Sequence, residues 1–438
     1  MSDLVPNDVP AYAIPDGALI PVSDHLQRSV PFEPNRMYFI RQAMDVFKQR
    51  HPTAATFDAS QGDGGASLPG TPRALLERAL QMQIEHGTGY DLPNGTPEFR
   101  KAVLEQYWQV DAGLGLTPEN VMATSGGRDA LLKAYQAMLY LGHGRSGDVL
   151  IVSRVPWMCY VWGPYGMGAN TLLAPGRPEE GWAYSVDGIR ASVEFAARSG
   201  RKPIGLVITS PDNPTGLIHT PEHQALIART ALELGVPFVI FDWMYHYVTD
   251  EEPMNLNRFL RLFEPEQRSR LMFLDGITKT LGGSNIRNCH LIASTQVTRF
   301  LTVWATHSIV PTFYSMAVAM AAYEMGYAKA CQPLLDPINA SRRFMKDFLD
   351  EHNFNYILGK GYYAFLDVSK WVQARGWQSA QPLGQYLAEE HGVAVVPGEY
   401  FSPYARMWLR FSYATPPEYT QGAAQRMVEG LNALLDRP

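Results

Sequence analysis

Four short apolar runs in this sequence each lead into residues that a fold alone does not require. Residues 121–124 lead into Ser125-Gly126-Gly127-Arg128-Asp129, with a helix-forming stretch behind. Glycines let the backbone come close to a ligand, and the first N–H groups of a helix are open to an anion. A phosphate suits that turn, although a tight strand-to-helix connection uses the same residues. Residues 204–209 lead into Ser210-Pro211-Asp212-Asn213-Pro214-Thr215-Gly216. Turn chemistry accounts for part of this, but two prolines around one asparagine exceed what a turn needs. They fix an amide that can donate to an anionic ring oxygen. Residues 237–241 lead into Asp242-Trp243-Met244-Tyr245. A carboxylate after a buried strand is costly unless it is paired. A pyridinium nitrogen is one such partner, and a helix N-cap is the plain alternative. Tyr245 follows closely enough to reach the opposite edge of the same ring. Residues 271–274 lead into Asp275-Gly276-Ile277-Thr278-Lys279, then Gly282-Gly283-Ser284-Asn285-Ile286-Arg287. A lysine among small and apolar residues suits a Schiff base, with an arginine as phosphate partner. A solvated loop lysine is the bland reading of the same residue.

In open α/β sheets, ligands bind beyond the carboxyl ends of the strands. The elements between these runs predict such a sheet. Helical spacing covers residues 73–85, 97–110, 128–140 and 221–234, and further short strands are expected at 148–153 and 289–293. Alternating strands and helices imply an α/β fold, with a mostly parallel sheet between helices. After a long helical stretch from about 307 to 352 the pattern changes to strands at 361–368, 393–396 and 409–413 with helices at 382–391 and 417–435. This predicts a smaller α+β domain. The expected division is 1–71 for an N-terminal arm and part of the small domain, 72–325 for the large domain, and 326–438 for the small C-terminal domain. The arm carries one expected helix, 34–49, and is read as packing beside the small domain.

Composition narrows the class. The chain has 438 residues, 46% hydrophobic and 18% charged, which is an ordinary globular balance. A net charge of −6 argues against general nucleic-acid binding. No apolar run approaches the roughly 20 residues that span a bilayer, and residues 1–6 show no signal-peptide pattern. Cys159, Cys289 and Cys331 are too far apart in sequence for a CxxC pair or a disulfide framework. A cytoplasmic protein is expected, without nucleic-acid or membrane partners and without a metal.

Taken together, Asn213-Pro214-Thr215-Gly216, then Asp242-Trp243-Met244-Tyr245, then Lys279, then Arg287 resemble the fold-type I pyridoxal-phosphate enzymes of the class I/II aminotransferase family. The resemblance covers nearly the whole chain from about Thr56 and rests on the order and spacing of these motifs. It implies an aspartate-aminotransferase-like fold with pyridoxal 5'-phosphate as cofactor. It implies that Lys279 forms the internal aldimine and removes the Cα proton. Asp242 then keeps the ring nitrogen protonated, supported by Tyr160, while Tyr245 and Asn213 contact the ring's phenolic oxygen. Trp157 stacks on the ring. The amides of Gly127 and Arg128 hold the phosphate with Arg287. Arg410, in Trp408-Leu409-Arg410-Phe411-Ser412, grips the substrate carboxylate, and Gly62 lines the substrate pocket with Asn213. Tyr90, framed by Gly95 and Arg100, reaches the phosphate of a neighbouring subunit, as does Ser308. A homodimer with shared active sites follows.

Some positions depart from the family pattern. Gly276 stands where a phosphate-bonding serine is usual, so that contact is either missing or supplied by Thr278 or Ser284. Met244 replaces a smaller residue under the ring, and the Trp157 alignment requires shifting Pro156 by one position. These departures leave the cofactor in place and bear on the reaction. Transamination between an amino acid and a 2-oxo acid is the first reading. The alternative is an oxidase, lyase or cyclase of specialised amino-acid metabolism on the same fold. Residues 303–311 contain no arginine for a second carboxylate, whereas Trp304, Phe313, Tyr314 and Met158 offer apolar surface. A large apolar or aromatic amino acid is therefore expected as donor. His307 adds a polar option for a hydroxylated or nitrogen-bearing side chain.

Overall fold

The computed structural model describes residues 37–436. The expected arm before residue 37 lies outside the described residues. Seven strands build the main sheet: β2 (Val121–Thr124), β3 (Val149–Val152), β4 (Asn170–Leu173), β5 (Pro203–Thr209), β6 (Val239–Asp242), β7 (Leu271–Asp275) and β8 (Cys289–Ile292). Their order is β2-β8-β7-β6-β5-β3-β4. β8 runs antiparallel to both neighbours, and the other pairs are parallel. Every residue of β2, β3, β4, β6, β7 and β8 is buried. A sheet covered by helices on both faces has no polar face, so its strands read as continuous apolar runs.

The covering helices start where the sequence supplies caps. Thr96, Ser185, Thr220, Ser294 and Thr312 each accept a hydrogen bond from the backbone N–H three residues on. Pro97 and Pro221 then occupy first-turn positions, where no N–H is needed.

The smaller part holds a four-stranded antiparallel sheet. Its strands are β9 (Tyr356–Ile357), β10 (Tyr363–Asp367), β12 (Val396–Pro397) and β13 (Trp408–Ser412), in the order β12-β13-β10-β9. A parallel pair joins β1 (Phe57–Asp58) to β11 (Val393–Ala394). The helix Met37–Arg50 lies against this part, with Ile40 and Met44 buried beside Ala388 and Ala394. No helix of the described residues is long and apolar enough to cross a membrane.

Several elements differ from the sequence-based expectation. The helix expected over 97–110 ends earlier: Pro97–Ala102 runs into a wider π turn, Val103–Tyr107, and Gln109 takes φ +48°. The single helical stretch expected over 307–352 is two helices, Phe313–Met325 and Tyr327–Glu351. Gly326, at φ +89°, breaks them, a conformation that glycine adopts without steric cost. Edge strand β4 and the helices Val186–Arg198 and Thr295–Ala305 have no counterpart in the sequence-based expectation, although both helices carry a clear amphipathic period.

Candidate active site

The carboxyl ends of β5, β6 and β7 lie side by side, with Thr209 paired to Asp242 and Asp242 to Leu274. The motifs that follow them therefore converge on one crevice. Lys279 sits on the one-turn helix Ile277–Thr280 just after β7. Its ammonium donates to the Gly62 carbonyl and lies 5.7 Å from the ring centres of both Tyr245 and Tyr362. Burial lowers its pKa below that of an ordinary lysine. This favours the free amine that a Schiff base requires.

Asp242 is the last residue of β6 and is buried. Tyr160 Oη donates to Oδ2 at 2.8 Å and the Met244 N–H to Oδ1 at 3.1 Å. Thr209 Oγ1 in turn donates to Tyr160 Oη at 2.9 Å. Burial pushes the Asp242 carboxyl up to about 6, with the Tyr160 and Met244 hydrogen bonds opposing the shift. Trp157 meets Tyr160 edge-on, 5.5 Å between ring centres, and the Arg128 guanidinium lies 5.9 Å from the Trp157 ring.

The turn after β2 has the form of an anion cradle. Gly126 takes φ +90°, and the helix Gly127–Leu141 starts without a capping side chain. Arg287 reaches across it, its Nη2 donating to the Ser125 carbonyl at 3.2 Å and its Nη1 to the Ser284 carbonyl at 2.7 Å. A Cβ on Gly126 would come 2.2 Å from Arg287 Nη2, so only glycine lets the guanidinium approach. Thr278 Oγ1 is buried with no hydrogen-bond partner among the described residues. The Ser284 hydroxyl, by contrast, donates to Asp63 Oδ1 at 2.7 Å. Of the two expected substitutes for the absent serine, Thr278 is the open one. The absence itself has a steric cause: a Cβ on Gly276 would lie 2.6 Å from both Asn288 O and Cys289 Cα.

On the opposite wall, β13 presents Arg410, one of the largest fully buried side chains. Its Nη1 donates to Asn213 Oδ1 at 2.9 Å and its Nη2 to the Ser60 carbonyl at 2.7 Å. Its guanidinium carbon lies 4.1 Å from the Tyr363 ring centre and 5.0 Å from that of Phe401. Tyr245 Oη stands 3.1 Å from Tyr363 Oη. Asn213, Tyr245, Lys279 (through Gly62) and Arg410 are thus brought together.

Other expected residues are placed elsewhere within this chain. Tyr90 is fully exposed, and Ser308 and His307 are exposed too. Trp304 packs on Tyr140 and Phe300, and Phe313 stacks on His86 at 3.7 Å. Tyr314 is half-buried against the main core. Met158 packs against Val155, Phe365, Phe401 and Trp408. Tyr363, Tyr362, Phe401 and Ser60 had not been singled out. Tyr363 shares a strand face with Phe365, which pairs with Arg410 across β10 and β13, a register that only the structure shows.

The residues present fit pyridoxal phosphate. The bare helix start, the glycine cradle, Arg287 and the unpartnered Thr278 hydroxyl suit a phosphate. Buried Asp242, with no cation bonded to it among the described residues, suits a protonated ring nitrogen. No group of three or more metal-ligating side chains exists among the described residues.

Comparison with known proteins agrees with this geometry. The family described as aminotransferase class I and II matches residues 56–427. An aspartate aminotransferase of Geobacillus stearothermophilus is 23% identical over 374 residues, 84% of this chain and 91% of that protein. One from Streptomyces avermitilis is 28% identical over 385 residues, 85% and 87% of the two chains. Among solved structures, Thermus thermophilus aspartate aminotransferase with maleate superposes with a TM-score of 0.75 at 23% identity, covering 94% of this chain and all of the other. An aminotransferase from Mycobacterium tuberculosis does so with a TM-score of 0.77 at 21% identity, covering 93% and 98%.

Proposed function

The chain belongs to the class I and II aminotransferase family, and from that premise we propose that it moves an amino group between a large apolar or aromatic amino acid and a 2-oxo acid. The observation that carries the substrate reading is the surrounding of Arg410. A buried guanidinium, oriented by Asn213 and Ser60, lies against Tyr363 and Phe401, with Trp408, Phe365 and Met158 in the adjoining cluster. That wall has one fork for a planar carboxylate and aromatic surface for the rest of the substrate.

Bound pyridoxal phosphate supplies an aldehyde for the substrate amine and a protonated ring that takes up the electron pair released when Cα–H breaks. In this reading the chain does the remainder. Gly126, Gly127, Arg128, Thr278 and Arg287 hold the phosphate. Trp157 covers one face of the ring, and Met244 lies against Gly127 below it. Asp242, oriented by Tyr160, keeps the ring nitrogen protonated, and Tyr245 donates to the phenolic oxygen. Arg410 sets the substrate so that its Cα–H points at the Lys279 amine. That amine would take the proton from Cα and hold it for return. Two such chains share their sites, with Tyr90 crossing to the neighbour's phosphate; its full exposure in a single chain supports this.

The test is a panel of single half-reactions. Phenylalanine, tryptophan, methionine, leucine, arginine and aspartate are each mixed with the enzyme without an acceptor, and 2-oxo acid release is timed. Phenylalanine or tryptophan should react fastest, and aspartate reacting fastest overturns the substrate reading. Oxygen uptake or continuing ammonia release would overturn transamination in favour of oxidase or lyase chemistry. In Lys279→Ala, borohydride should no longer fix cofactor to the chain; persistent labelling would show that another residue carries it.

A further inference from the structure

One side chain touches all three segments that the reaction needs, and the reading above uses only the apolar surface of its ring. Tyr363, on β10, is buried to 1% exposure. Its hydroxyl lies 3.1 Å from that of Tyr245. Its ring lies beneath the Arg410 guanidinium at 4.1 Å. A Cβ on Gly62 would come 2.4 Å from its hydroxyl oxygen, so the Gly62 backbone passes directly over it. The Gly62 carbonyl, in turn, accepts from Lys279.

We propose that Tyr363 is a positioning residue with two separable actions, its hydroxyl aiming the Tyr245 proton and its ring seating Arg410. The inference rests on the roles assigned above to Tyr245, Lys279 and Arg410. Two phenols at hydrogen-bond distance share one proton between their oxygens, and the other proton is free. When Tyr363 donates, the Tyr245 oxygen is occupied as acceptor, and the Tyr245 proton is directed to the ring's phenolic oxygen. Such a chain also polarises its members, which makes Tyr245 the stronger donor. No bond other than these hydrogen bonds changes. The ring acts independently of the hydroxyl. A guanidinium stacked on an aromatic face keeps its fork edge-on to the pocket. Arg410 Nε has no hydrogen-bond partner among the described residues, and there this stacking and the bonds to Asn213 and Ser60 define its plane.

Two variants separate the actions. Tyr363→Phe removes the hydroxyl and keeps the ring; Tyr363→Leu removes both. The readout for the hydroxyl is the pH midpoint of the bound cofactor's visible absorbance, measured on holoenzyme without substrate. A weaker Tyr245 donor stabilises the anionic ring oxygen less, so the midpoint should rise by about 0.5–1 unit in both variants. The readout for the ring is KM for the amino acid. It should stay within about twofold of wild type in Tyr363→Phe and rise on the order of tenfold in Tyr363→Leu, while kcat falls less. A purely structural tyrosine would lower stability without moving the absorbance midpoint. Wild-type protein lacking a borohydride-reducible absorbance band would overturn the cofactor assignment, and this inference with it. A wild-type band that titrates at the same pH in Tyr363→Phe would overturn this inference alone.

Discussion

Two carboxylates end neighbouring strands of the main sheet, and they differ in what surrounds them. Asp242 closes β6 and Asp275 closes β7; both are buried. Asp275 is enclosed by protein donors. Its Oδ1 accepts from the Gly276 N–H at 2.6 Å, and its Oδ2 accepts from Tyr107 Oη and from His246 Nε2, the latter at 2.8 Å. The Met254 N–H donates to His246 Nδ1 at 3.1 Å, so the ring proton belongs on Nε2, facing Asp275. Trp108 and His290 close the chamber, with Trp108 Nε1 donating to His290 Nε2 at 2.9 Å. Asp242 has one donor on each oxygen, Tyr160 and Met244, and lies within electrostatic reach of Lys279. An ionised carboxylate offers about four acceptor sites. Burial and residue type therefore do not mark the functional acid. Spare acceptor capacity beside the crevice does.

The largest expected effect breaks this comparison on the Asp242 side. In Asp242→Asn the backbone and shape persist, but the ring nitrogen loses its anionic partner. Activity should fall at least a hundredfold, with the fold retained and cofactor still attached. Single-turnover rates set against circular dichroism and borohydride labelling check it. A fall of less than tenfold would show that Asp242 is a structural cap.

The next effect lies on the Asp275 side and should show mainly in stability. Asp275→Asn places an amide among groups that donate, leaving His246 and Tyr107 poorly matched. Breaking one member of a buried hydrogen-bonded charged group costs about 3–5 kcal/mol. Urea midpoints of the holoenzyme measure the loss. The surviving folded fraction should turn over at a rate within about tenfold of wild type. Comparable catalytic losses in both asparagine variants would erase the distinction drawn between them.

The two walls of the crevice were not equally legible in the sequence. The residues after β2, β5, β6 and β7 could be found because each follows a continuous apolar run, and strand ends are where such sheets bind ligands. Asn213, Asp242, Tyr245, Lys279 and Arg287 all announce themselves that way. The Arg410 wall is built differently. Tyr363, Phe401 and Ser60 come from a small antiparallel sheet, a 3-10 turn and a loop far away in sequence. Their meeting depends on the β10–β13 register, which no local spacing encodes. The serine absent at position 276 could be noticed, but not its cause, the approach of Asn288 and Cys289. The break at Gly326 is also hard to read from sequence, since residues 313–325 are apolar nearly all round and set no period against which the helix from Tyr327 would stand out. Asp275 stands out in sequence only as a neighbour of Lys279, because its side-chain partners Tyr107 and His246 lie on separate elements.

The smallest effect sharpens the comparison through pH. The ordinary carboxyl value is 3.8, and burial raises Asp242 to about 6 in the folded protein without cofactor. Between those values the folded chain holds a proton that the unfolded chain has released. Stability then falls as pH rises across this window, because the native state binds more protons. A two-unit shift corresponds to roughly 2–3 kcal/mol at most. Asp212 is likewise raised to about 6 by burial, so a wild-type curve alone mixes the two groups. The difference between wild type and Asp242→Asn isolates one of them. Denaturation of apoprotein at pH 4.5 and pH 7 should show wild type losing more stability than the variant. Cofactor binding reverses the sign of the argument. A protonated ring nitrogen against Asp242 favours the ionised carboxylate and draws its pKa back down. In the holoenzyme the excess loss should vanish, and the cofactor's contribution to stability should be larger at pH 7 than at pH 4.5. If the excess loss persisted with cofactor bound, Asp242 would have no cationic partner. It would then belong with Asp275 as a carboxylate satisfied by the protein alone.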